Sequence, residues 1–174
     1  MVPNHLFAPY PTKLIRPSQL RGLEHGDFVA QPYWFGCHAT HVPGRPITNS
    51  VGHAVHRSTL QRVKLPEIVR RPSGLAVDLV LLSRRAVVTD IMIARPFDDR
   101  ERLAHAYGID LGARAVHSRS DINDALATFG KNPDCAGLIL KRRAAAYPWL
   151  PIQSRPAWYW LLVQQPIELS AESH

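Results

Sequence analysis

Two apolar runs of strand length stand side by side in the middle of the chain, Leu75 to Leu82 and Ala86 to Ala94, separated by Ser83-Arg84-Arg85. Both are rich in valine and isoleucine, whose branched side chains favour a pleated surface, so the pair predicts a β-hairpin. They are apolar at nearly every position rather than at alternate ones, which implies burial on both faces and helices packed against the sheet. Such helices follow in the sequence. Asp98 and Asp99 open one that carries Leu103, Ala104, Ala106 and Tyr107 to a stop at Gly108, and Ser120 caps another that runs through Ile122, Ala125, Leu126 and Phe129 to Gly130. Short strands are expected at Ala113–His117 and Ala136–Leu140, on either side of the second helix. Strand, helix and strand at this spacing predict a βαβ-like unit with the two strands as parallel neighbours.

Upstream of the hairpin, Val51, Val55 and Leu60 predict a helix from Asn49 or Ser50 to about Lys64, with Pro66 just beyond as its stop. The first fifty residues hold Pro3, Pro9, Pro11, Pro17, Pro32, Pro43 and Pro46, which exclude a long helix and leave room for short strands at Phe28–Ala30 and Tyr33–Phe35. A helical turn at Ser18 and a last strand at Trp158–Val163 complete the pattern. The expected architecture is α+β in a single domain: a central hairpin in a mixed sheet, about three helices, a βαβ-like unit towards the C-terminus, and a Pro-rich irregular N-terminal segment over 1–48. The core spans 49–168, and 169–174 is a frayed tail. At 174 residues the chain is long enough to bury a core unaided.

Charge changes this picture from a fold to a candidate binder. The formal net charge is +7, and most of the basic residues are arginine. Between Arg45 and Arg95 the basic side chains outnumber Glu67, Asp78 and Asp90 by three to one, and Lys141-Arg142-Arg143 forms a second cluster. Guanidinium groups pair in a planar fork with phosphate, so the candidate phosphate contacts are Arg57, Arg62, Arg70, Arg71, Arg84, Arg85, Lys141, Arg142 and Arg143, with nucleic acid or another polyanion as partner. Tyr33, Trp34 and Phe35 could add a stacking surface if exposed.

Two further groups of residues suggest chemistry. Cys37, His38, His41, His53 and His56 gather metal-capable side chains in one short stretch, and zinc could be held by His53 and His56, one helical turn apart, with Cys37 and His38 or His41. The order of helix, hairpin, helix and strand resembles that of restriction-endonuclease-like cores. That resemblance implies a divalent cation such as magnesium, held by an acid on one strand and an acid-x-lysine on the next. Asp78 and Asp90 would be the acids, while Met92 stands where the lysine would be.

With two cysteines, no disulfide framework and no leader-like N-terminus, a reducing cytoplasm is the expected setting, and no apolar run is long enough for a membrane span. The leading functional reading is a basic module that binds nucleic acid or docks in a nucleoprotein assembly without catalysis. The alternatives are a metal-dependent nuclease or hydrolase and a protein-interaction subunit.

Overall fold

The computed structural model describes residues 25–71, 74–147 and 160–164. Within them the order is β1 (Phe28–Trp34), β2 (Cys37–His41), β3 (Thr48–Asn49), α1 (Arg57–Arg62), α2 (Glu67–Arg70), β4 (Val77–Leu81), β5 (Ala86–Ile91), α3 (Phe97–Ala106), β6 (Arg114–Val116), α4 (Arg119–Phe129), β7 (Cys135–Arg142) and β8 (Trp160–Val163). The turn expected at Ser18, the first half of the Pro-rich opening, Trp158, Tyr159 and the tail lie outside the described residues. The α+β class and the β4–β5 hairpin are as the sequence predicts. All five residues of β4 are buried, and the turn closes with Leu82 N donating to Arg85 O at 2.8 Å.

The strands divide into two four-stranded sheets, ordered β6-β1-β7-β8 and β3-β2-β4-β5, and every pairing between these strands is antiparallel. The single mixed sheet expected from the βαβ-like unit is thereby corrected. β6 and β7 do run parallel to each other, but β1 lies between them and pairs with both. The intervening strand comes from the Pro-rich opening, where Phe28 to Trp34 continue through Pro32 as one strand instead of two.

The helix expected over 50–64 is shortened to six residues. Gly52 takes φ 82°, and the Asn49 side chain accepts from Val51 N and His53 N, which closes a turn rather than a helix. His56 then caps α1, its Nδ1 accepting from Ser58 N. α4 begins at Ser118 instead of Ser120, through a capping box in which Ser118 Oγ accepts from Asp121 N and the Asp121 carboxylate accepts from Ser118 N.

Period-two alternation then sorts the side chains into layers. On sheet one, Phe28, Ala30, Leu138 and Leu140 pack with Ile122 and Ala125 of α4. On sheet two, Val77, Leu79 and Ile91 pack with Phe97 and Ala104 of α3. The residues between these, namely Gln31, Ile139 and Lys141 of sheet one and Asp78 and Val80 of sheet two, line a cleft between the sheets. Among the described residues no helix is long and apolar enough to cross a membrane.

Candidate nucleic-acid interface and the inter-sheet cleft

The cleft holds a buried polar cluster that rests on a break in the β4–β5 ladder. Asp78 pairs with Asp90 but Leu79 pairs with Val88, which leaves Thr89 as an extra residue in a bulge. The Thr89 carbonyl accepts from Gln31 Nε2 at 3.3 Å and from Lys141 Nζ at 3.2 Å, both reaching across from sheet one. Asp90 is fully buried. It accepts from Lys141 Nζ at 2.8 Å on one oxygen and from the Arg100 fork at 2.7 and 3.1 Å, while Arg100 also donates to Arg95 O and Ala145 O. Burial pushes the Asp90 carboxyl up, but the two cations outweigh it and hold it below the usual range. Asp78 has no cation hydrogen-bonded to it among the described residues, though the Lys141 and Arg100 charges act on it from a distance. Its Oδ2 accepts from Tyr147 OH at 2.6 Å, and burial raises its carboxyl to about 7.

The two aspartates thus face different partners instead of a common cation. Lys141 comes from β7 and not from the acid's own strand, and Met92 is buried against Ile139 and Tyr147. The cleft is also narrow. The cavity bounded by Gln31, Tyr33, Trp34, His38, Asp78 and Lys141 measures about 20 Å³, room for about one water. Tyr33 and His38 stack across its mouth with ring centres 5.7 Å apart, and burial together with the Lys141 charge lowers the His38 pKa. Gln31 Oε1 and Asp78 Oδ1 are buried there without a donor among the described residues.

The five metal candidates do not converge. Neighbours on a strand point to opposite faces, so Cys37 is exposed while His38 turns into the cleft, and His41 is buried with both ring nitrogens lacking a partner among the described residues. His53 lies in the turn before α1, not on a helix face, and His56 is occupied as the helix cap. Among the described residues no three His, Cys, Asp or Glu side chains form a group that could hold a metal ion.

The mid-chain arginines fare differently. After α1 the backbone runs beside the β4–β5 turn, with Lys64 N donating to Arg84 O and Ala86 N donating to Lys64 O. Arg62, Lys64, Arg84 and Arg85 therefore share one edge of the molecule. Arg57 opens the same short helix, about 8 Å from Arg62 along its axis. Arg71 and Arg85 both line a groove of about 480 Å³ whose floor is β5 and whose walls are Pro66–Ile68 and Tyr107–Ile109. Arg57, Arg62, Lys64, Arg70 and Arg84 are exposed, and none has an ion-pair partner among the described residues. Arg71 pairs with Glu67 at 2.5 Å, and Arg85 approaches Asp134 at 4.0 Å while covering the Trp34 ring.

Lys141, Arg142 and Arg143 do not extend this face. Lys141 points inward, Arg142 covers the Phe28 ring, and Arg143 pairs with Asp98 at 2.9 Å. Arg142 sits opposite Phe28, about 20 Å along β1 from Trp34, the end near the basic edge. The sequence signals missed Gln31, Arg100 and Tyr147. Arg100 had one clue, a cation following Asp90 at a distance a strand-to-helix turn can fold back.

No family model and no curated protein sequence matches the chain. Solved structures do. A structure titled for DNA binding with a minimal scaffold in Lig E DNA ligases superposes with a TM-score of 0.62 at 12% identity, over 94% of this chain and 70% of that one. A mycobacterial DNA ligase D complexed with ATP and MES gives 0.58 at 14% identity, over 89% of this chain and 60% of that one. An archaeal ATP-dependent RNA ligase gives 0.56 at 15%, over 79% and 45%. The chain thus spans less than two thirds of each of the latter two. At such identities the likeness is one of fold, and it establishes that the two sheets and their helices are arranged as in these nucleic-acid ligases.

Proposed function

We propose that this chain is a nucleic-acid-binding module built on a ligase-type fold, and that it binds without joining strands. The observation that carries the reading is the gathering of exposed cations from α1, the segment after it and the β4–β5 turn at one edge, with Arg71 in the adjoining groove, where a phosphate backbone would meet several at once. The likeness of fold to DNA ligases and an RNA ligase supports the same class of partner. Two features of the cleft support the non-catalytic half. The amine that could act there, Lys141, is 1% exposed and held by Asp90 and the Thr89 carbonyl, so it is not presented as a nucleophile. The cavity beside it is about 20 Å³, against about 300–1,000 Å³ for a small-molecule site, so ATP does not fit between the sheets as they stand.

The test is a salt titration of binding to random-sequence oligonucleotides. About five phosphate contacts give a slope of log K against log salt near −4.5 on duplex, and each of Arg62→Ala, Arg70→Ala and Arg84→Ala is expected to reduce that slope by about one. Binding that ignores salt would transfer the chain to the protein-interaction class. ATP titrated calorimetrically is expected to give no heat of binding. Measurable ATP affinity, or nick sealing in the presence of ATP and a divalent cation, would reinstate an enzyme.

A further inference from the structure

Phe35 is 80% exposed, further than Val51 at 55% and Tyr107 at 38%, the other large apolar side chains that reach solvent among the described residues. A single exposed phenylalanine is unremarkable on a protein surface. Its setting is what distinguishes it. Phe35 forms the tip of the β1–β2 turn, where the chain passes from one sheet to the other, and that tip is fixed. Phe35 N donates to Asp134 O at 2.7 Å. The next residue, Gly36, lies so close to β4 that a Cβ on it would stand 2.6 Å from Leu81 O, so the turn is packed directly against β4 on that side. β2 pairs Cys37 with Leu81, so the β1–β2 turn and the β4–β5 turn project from the same end of sheet two. Phe35 is therefore presented at the same end of the sheet as Arg84, exposed and without an ion-pair partner among the described residues, and as Arg85, whose guanidinium lies 5.7 Å over the half-buried Trp34 ring.

An exposed ring on a rigid tip, edged by guanidinium groups, is the chemistry that receives the face of a nucleobase. In an uninterrupted duplex each base face is already covered by its neighbours, so only an unpaired or terminal base can offer one. We propose that Phe35 stacks on an unpaired base, so that the module prefers nucleic acid with a single-stranded stretch or end over continuous duplex. This inference rests on the nucleic-acid reading above. Arginines on the basic edge supply phosphate contacts common to both forms, and Phe35 supplies the difference between them.

Fluorescence anisotropy with one labelled oligonucleotide, single-stranded and then annealed to its complement, tests the idea with the full chain at fixed salt. The wild type is expected to bind the single strand more tightly. Phe35→Ala is expected to weaken single-strand binding by about 10-fold or more while duplex binding changes by less than about 2-fold, the size set by loss of one base stack. Phe35→Trp should retain the preference. Phe35→Leu should lose it, because leucine keeps apolar area but has no flat π face; Phe35→Leu behaving like wild type would overturn stacking in favour of a generic apolar contact. Equal losses on both substrates in Phe35→Ala, or a wild type that favours duplex, would also overturn it. Arg84→Ala, expected to weaken both arms alike, keeps the two readings apart. If neither form binds at low salt, the nucleic-acid reading itself fails.

Discussion

At the scale of single residues, Asp78 carries a carboxyl removed from water. It is buried beneath Tyr147, and its carboxyl is raised from an ordinary value near 4 to about 7. A carboxyl raised on folding holds its proton longer in the native state than in the unfolded chain. Its stabilising contribution is therefore complete below about pH 4 and is lost as pH climbs towards 7, by an amount on the order of 4 kcal/mol. Other titrating groups with shifted values set the background. Asp90, held low by Lys141 and Arg100, has finished titrating below this window, while His38 and His41, lowered by burial, add stability as pH rises to about 6.5. The difference between variants isolates Asp78. Urea denaturation of wild type and Asp78→Asn at pH 5 and pH 8 is expected to show the asparagine variant gaining on the wild type as pH rises. A constant gap between the two would mean that Asp78 is ionised in the folded protein throughout.

Among the elements, the ones carried by local signals are the easiest to perturb in a known way. α4 depends on the reciprocal bonds between Ser118 and Asp121, and Ser118→Ala is expected to cost about 1 kcal/mol, read as a shift of the denaturant midpoint without a change in slope. The β1–β2 turn depends on Gly36 having no side chain. Gly36→Ala must push the turn away from Leu81, and the expected result is a loss of stability together with a loss of the single-strand preference assigned to Phe35. If Gly36→Ala preserves that preference, the fixed tip is not what presents the ring. The hairpin, α3 and α4 were legible from branching, acidic first turns and terminal glycines. The helix over 50–64 was misread because Val51 and Val55 fit a helical period, whereas Asn49 and Gly52 together close a turn that periodicity does not register.

For the molecule as a whole, the two sheets are tied together in the cleft by one buried charge network. Lys141 belongs to sheet one, while Asp90 and the Thr89 carbonyl belong to sheet two. Removing the amine leaves Asp90 buried with Arg100 alone among its side-chain cations, so Lys141→Ala is expected to destabilise by about 3–5 kcal/mol, and Lys141→Met by less because it keeps the packing. Thermal unfolding of both variants checks this. Equal stability in Lys141→Ala would mean that water reaches Asp90. The same arrangement that seals the cleft leaves the basic edge open, so the proposed activity lies at the rim of the sheets and not between them.

The sequence by itself determined what depends on near neighbours: the hairpin, the capped and acid-started helices, the α+β class, and a surplus of arginine with no matching acids. These follow from backbone preference, periodicity and charge, which act within a few residues. Tertiary structure decided how the strands sort into two sheets, that β1 enters between β6 and β7, and that Lys141 turns inward while Arg84 stays outside. It also brought Asp90 against Lys141, 51 residues away, and Asp78 against Tyr147, 69 residues away. Such pairings depend on which surfaces bury together, and no local pattern in the chain encodes that choice.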